Sequence, residues 1–105
     1  TPKNDPAESA ALRSLLGNRV GDVPVVSTKS MIGHLISAAG AVETVASIQC
    51  LRQQRIPHTA NLKNVDPNCE LRHVLDQPLK LELNHILKNS FGFGGQNACL
   101  IISRA

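Results

Sequence analysis

The stretch VVSTKSMIGHLISAAGAVE, Val25 to Glu43, decides how this 105-residue chain folds. At its front, Val23, Val25 and Val26 are β-branched and apolar, and the run is short, so it predicts a buried strand over 24–28. Behind it, apolar residues recur at helical spacing: Leu35, Ala38, Ala39, Val42, Val45, Ala46 and Leu51. They predict one long helix from about Gly33 to Gln54. Ile36 and Ile48 widen the apolar surface beyond one stripe, so the first half of that helix is expected to be buried on more than one side. The Ala38–Ala41 run has almost no side-chain bulk. Gly40 costs about 1 kcal/mol of helix propensity relative to Ala, and close packing of another backbone is a reason to keep it.

Working outward, NDPAESAALRSLLGN predicts a helix over 6–16, with Asp5 as N-cap, Pro6 at the first helical position and Gly17 as the stop. Residues 55–78 read as a long loop with three prolines, of a length that is usually functional or laid over a larger body. Two strands, about 85–90 and 97–103, flank a glycine-rich turn and predict an antiparallel pair, the second strand buried. The order helix–strand–helix–strand–strand is an α/β pattern. The chain begins TPKNDPAE, without Met, and reads as a loop already in progress.

Composition narrows the function classes. Hydrophobic residues make up 42% and aromatic ones 2%, an aliphatic core composition that argues against disorder. The net charge is +3, but the Lys and Arg residues are scattered without a run, so nucleic acid is not an expected partner; an acidic protein is compatible. The three cysteines, Cys50, Cys69 and Cys99, form no CxxC pair and suggest a reducing, cytoplasmic setting. No leader and no membrane partner are expected, because no apolar run is long enough to span a bilayer.

Two features carry chemistry. Lys29 and His34 stand five positions apart where the expected strand gives way to the expected helix, the place where open α/β sheets bind ligands. In a first helical turn the macrodipole disfavours imidazolium, leaving a neutral ring as a hydrogen-bond donor, and Lys29 adds positive charge near a developing anion. A capping histidine and a surface lysine would fit the same residues. The second feature is FGFGG, Phe91 to Gly95. Its glycines permit close approach of a ligand, and its consecutive backbone N–H groups suit an oxyanion; a plain hairpin turn is the other reading. It is no phosphate-loop fingerprint. Cys69 with His73 four residues later is weak evidence for a metal, Cys50 and Cys99 read as small hydrophobes, and His58, His73 and His85 read as loop or strand-edge residues.

Together, STKSMIGHLISAAGAVE and NSFGFGGQN closely resemble the C-terminal part of the β-ketoacyl-[acyl carrier protein] synthases, the condensing enzymes of fatty-acid and polyketide synthesis. The resemblance covers essentially the whole chain. TPKNDPAE resembles the continuation of the family's His-Gly-Thr-x-Thr-x-x-x-Asp motif, entered at Thr1. It implies a thiolase-like fold, of which residues 1–105 would be the later part of the C-terminal half, an incomplete domain.

The resemblance also implies roles. His34 would be the second of two catalytic histidines, Lys29 the lysine of the site, and Glu43 its acidic partner. Phe93 would be the gating phenylalanine whose backbone N–H helps form an oxyanion hole, within the Phe91, Gly92, Gly94 and Gly95 turn. Thr1 would contact the phosphopantetheine arm. No cofactor of the chain's own is implied; phosphopantetheine arrives on acyl carrier protein. The expected partners are that carrier, the remainder of the synthase with its cysteine nucleophile, and a second copy in a homodimer. Helix geometry alone does not give the Lys29–Glu43 pairing: nine residues at about 100° each put Glu43 opposite His34 on one helix, so the preceding segment must fold back. None of the three cysteines matches the nucleophile, the first histidine is not in the chain, and Gln96 stands where many members have Thr. A catalytically silent partner subunit, of the chain-length-determining kind, is the alternative, and retention of Lys29 and His34 counts against it.

Overall fold

The computed structural model describes residues 1–105. Helix α1 spans Asn4–Leu16, two residues longer at its start than the sequence implies. Asp5 is not the N-cap. Lys3 holds that position with no side-chain cap, and Asp5 lies in the first turn, where its carboxylate meets the positive end of the helix dipole. Pro6 allows the early start, since first-turn N–H groups have no intrahelical acceptor. Gly17 ends the helix at φ 53°, its N–H returning to the Arg13 carbonyl. Arg13 then ties α1 to the 3₁₀ turn Pro67–Cys69, donating to the carbonyls of Asn68 at 2.7 Å and Glu70 at 3.1 Å.

The expected strand over 24–28 is not formed. Val25 makes one parallel bridge to His73, its N–H donating to Arg72 and its carbonyl accepting from Val74. Pro24 has no N–H to extend the ladder, and the chain turns away at Ser27.

A separate four-residue helix α2 (Lys29–Ile32) follows the expected strand. The helix expected over 33–54 starts six residues late, as α3 (Ala39–Gln53) behind a 3₁₀ turn (Ile36–Ala38). Gly33 makes the break, at φ 76° and ψ 176°, a conformation open to glycine and closed to a helix. Ile36 follows at φ 50°, strained for a β-branched residue by roughly 1–3 kcal/mol. Apolar spacing runs on through residues 33–38 and so conceals the late start. Within α3 two hydroxyls bond back one turn, Thr44 to the Gly40 carbonyl at 2.7 Å and Ser47 to the Glu43 carbonyl at 2.8 Å. The helix ends at Gln54, left-handed at φ 53°; its side chain accepts from the N–H of Leu83 and donates to the Leu83 carbonyl.

The 55–78 loop starts on a two-residue strand β1 (Arg55–Ile56), which pairs antiparallel with β2 (Leu79–Lys80) beyond its end. β3 (His85–Phe91) and β4 (Asn97–Ser103) form the expected hairpin, in register from His85↔Ser103 to Phe91↔Asn97. β4 is not buried: only Ile102 is half-covered, and Cys99 is exposed. The pleat puts Ile86, Lys88 and Ser90 on one face with their partners Ile102, Leu100 and Ala98, and this face meets α3. The other face, with Leu87, Cys99 and Ile101, is open.

The core is Leu51, Ile56, Val74 and Leu83, with Cys50, Leu79, Leu81, Ile86 and Ile102 against it. Burial pushes the Cys50 thiol up, against an opposing backbone hydrogen bond, which keeps it an unreactive hydrophobe. Only eight of 105 residues are buried, so much apolar surface stays open: Val42, Val45 and Ile48 on α3, Leu100 and Ile101 on β4. No helix is long and apolar enough to cross a membrane. Replacing Leu51 by Ala is expected to lower unfolding free energy by about 2–5 kcal/mol, read from urea denaturation; a loss under about 1 kcal/mol would place the core elsewhere.

Candidate active site

Glu43, in the second turn of α3, is the centre of the site. The carboxylate is buried, 9% exposed at the side chain, and each oxygen has its own cation. Lys29 Nζ donates to Oε1, and Lys88 Nζ stands 3.3 Å from Oε2. Lys88 is 8% exposed and also donates to Ser90 Oγ at 2.8 Å, whereas Lys29 is 39% exposed and opens outward. Burial pushes the Glu43 carboxyl up, but hydrogen bonds and charge from Lys29, then Lys88, outweigh that and hold it below the ordinary carboxylate range.

The fold-back that the Lys29–Glu43 pairing demands comes from the turn before α2. Ser30 Oγ donates to the Ser27 carbonyl at 2.7 Å and accepts from Ala60 N–H at 2.8 Å, and Thr59 Oγ1 accepts from Ser27 N–H at 3.1 Å. The turn is thus pinned to residues 59–60, and the break at Gly33 lets α2 lie beside α3 instead of continuing it.

His34 lies in the α2–α3 connection, exposed, and not in a first helical turn. α3 begins five residues later, so the macrodipole argument does not apply to it. A backbone contact replaces it: Ile36 N–H donates to His34 Nδ1 at 3.0 Å. That nitrogen must keep its lone pair, so the neutral ring carries its hydrogen on Nε2 and offers it as a donor.

The glycine turn closes through Gly92 N–H to the Gln96 carbonyl at 2.7 Å. A Cβ at Gly92 would sit 2.9 Å from that oxygen, too close for any side chain. Gly94 and Gly95 take φ 78° and 80°. Phe91 is half-buried at the end of β3, and Phe93 stands out at 94% exposure. Thr1 is exposed, its carbonyl accepting from Asn4 N–H, and no hydrogen bond joins it to the lysine cluster. His73 Nε2 lies 2.8 Å from the Cys69 backbone oxygen, so the pair serves its own loop, and no third metal-ligating side chain gathers there.

The structure therefore joins Lys29 to Glu43 and adds Lys88, which the sequence reading overlooked. Its signal was present: the alternation Ile86–Lys88–Ser90 puts a lysine on the inward face of a strand, where a buried ammonium requires a partner. Through β3 this lysine also connects the cluster to the strand that carries the glycine turn.

A thiolase-like α/β scaffold carrying this lysine–carboxylate pair, histidine and glycine turn defines the class. The chain belongs to the β-ketoacyl synthases: the profile described as "Beta-ketoacyl synthase, C-terminal domain" matches residues 1–63. It is 42% identical over 104 residues to 3-oxoacyl-[acyl-carrier-protein] synthase 2 of Coxiella burnetii, covering 99% of this chain and 25% of that protein. It is 39% identical over 103 residues to putative polyketide beta-ketoacyl synthase 1 of Streptomyces cyaneus, covering 98% of this chain and 24% of that protein. Among solved structures, a type II polyketide ketosynthase in complex with its acyl-carrier protein matches with TM-score 0.90 and 33% identity, over 93% of this chain and 24% of that one. The chain spans about a quarter of the length of these relatives.

Because the Glu43 carboxyl is held below its ordinary value of 4.5, its ion pairs stabilise the fold above that pH. The contribution fades as pH falls through the lower folded value. Glu43→Gln is expected to lower the urea midpoint at pH 7, and its gap to the wild type should close as pH drops below 4.5. A gap independent of pH would show that charge is not what Glu43 contributes.

Proposed function

We propose that this chain acts as the C-terminal segment of a β-ketoacyl-[acyl carrier protein] synthase and supplies Lys29, His34, Glu43 and the Phe91–Gly95 turn to its site. The observation that carries the reading is the Lys29–Glu43 pair beside the His34 loop, in a chain of this family. The reaction is decarboxylative Claisen condensation. An acyl group moves from carrier-bound phosphopantetheine to a cysteine in the remainder of the synthase, and Thr1 contacts the pantetheine arm. Malonyl-carrier protein then binds. Its bond to the carboxylate breaks, CO2 leaves, and the electron pair passes into a thioester enolate.

His34 serves that enolate. With Nδ1 occupied by Ile36 N–H, its Nε2–H points the donor at the developing oxyanion without delivering a full positive charge. The enolate carbon attacks the cysteine-bound acyl carbon, a C–C bond forms, and the thiolate leaves. Backbone N–H groups of the turn, that of Phe93 among them, stabilise the oxyanion of this step. Lys29, its charge shared with Glu43, orders the site. The working enzyme is read as a cytoplasmic homodimer that takes both substrates from acyl carrier protein, for fatty-acid or polyketide synthesis.

His34→Ala in the complete synthase is expected to slow malonyl-carrier decarboxylation by about 100-fold or more, the usual effect of removing an oxyanion donor. Release of labelled CO2 measures it, and an unchanged rate would overturn the assignment.

A further inference from the structure

We propose that Lys88 is a positioning residue of this site: by holding Oε2 of Glu43 it fixes Oε1 on Lys29 and ties that pair to the strand carrying the glycine turn. The inference rests on the synthase reading above.

Three chain segments meet at the carboxylate, Lys29 from α2, Glu43 from α3 and Lys88 from β3. Two positive charges face one negative charge, so the cluster keeps a surplus of one, and the two lysines differ in where theirs goes. Lys88 is 8% exposed and spends its hydrogens inside, on Glu43 and Ser90. Lys29 is 39% exposed and carries the surplus outward. Without Lys88, Oε2 would be a desolvated carboxylate oxygen with no partner, and the group would rotate to find water or to share both oxygens with Lys29. Either change releases the Lys29 ammonium from one geometry. Lys88 is also three residues before Phe91 on a regular strand, so the same contact sets the height of the glycine turn against α3. Positioning groups behind a reacting shell commonly matter by about 10–100-fold.

The test uses the complete synthase. Lys88→Met keeps the stem and removes the ammonium. It is expected to lower condensation kcat about 10-fold, the low end of that range, while the KM for malonyl-carrier protein stays within about two-fold. Lys88→Arg should restore most of the rate. In a Glu43→Gln background the same Lys88→Met change should have less than about two-fold further effect, because residues acting through one partner are non-additive. A Lys88→Met enzyme within two-fold of wild type overturns the proposal, as does a full 10-fold loss in the Glu43→Gln background, which would place Lys88 elsewhere in the mechanism. If Lys88→Met does not fold, Lys88→Gln makes the same comparison. A ¹³C titration of the Glu43 carboxyl, which faces Lys29 and Lys88, separates the two readings. A wild type without condensing activity ends the synthase reading and this role with it, and the titration then still reports whether Lys88 holds Glu43. An upward shift of that titration in Lys88→Met is the expected result, and no shift overturns the contact itself.

Discussion

A carboxylate removed from water is tolerated only where other groups replace the hydration it loses, since the effective penalty is several kcal/mol per ion. Glu43 meets that condition by dividing its two oxygens between two ammonium groups. The partners lie fourteen residues before it and forty-five after it, so no local preference could assemble them. The arrangement requires a turn at Ser27–Ser30 to bring Lys29 back, a break at Gly33 to lay α2 beside α3, and a hairpin whose pleat turns Lys88 inward. Each of these looks like a minor irregularity when taken alone. The single charge they enclose makes them mutually necessary.

The elements legible in the sequence were those governed by neighbours in the chain. Helix α1 followed from its apolar spacing and from Gly17, and the β3–β4 hairpin from two strand-like runs around a glycine turn. The elements that were misread depend on partners distant in sequence. Val25 and Val26 have strand character but find only one bridge, to His73. The helix expected over 33–54 begins only at Ala39, because the apolar residues of 33–38 keep helical spacing while periodicity carries no information about a glycine ψ of 176° or an isoleucine φ of 50°. The catalytic candidates were recognised by resemblance, whereas Lys88 had to be seen beside Glu43, although its inward register was available from the alternation of β3.

His34 does not sit where the reading puts it. A first helical turn is expected to surround the ring with a helix dipole; the structure places the ring in a loop, where one backbone N–H donates to Nδ1. A dipole acts weakly over a whole turn and is screened by salt, whereas a donor aimed at Nδ1 also selects the tautomer and the ring plane. The strained Ile36 that supplies this N–H sits where a left-handed isoleucine would otherwise be hard to justify.

The hydroxyls of Thr44 and Ser47 have a consequence that their side-chain chemistry conceals. Each has already given its hydrogen to a carbonyl one turn back along α3. With Gly40 and Ala41 beside them, they leave this face of the helix with no side-chain donor in search of an acceptor. To anything laid against it, that face offers shallow relief and hydroxyl oxygens that can only accept. Shape, and the donors a neighbour brings with it, govern how closely that neighbour can come.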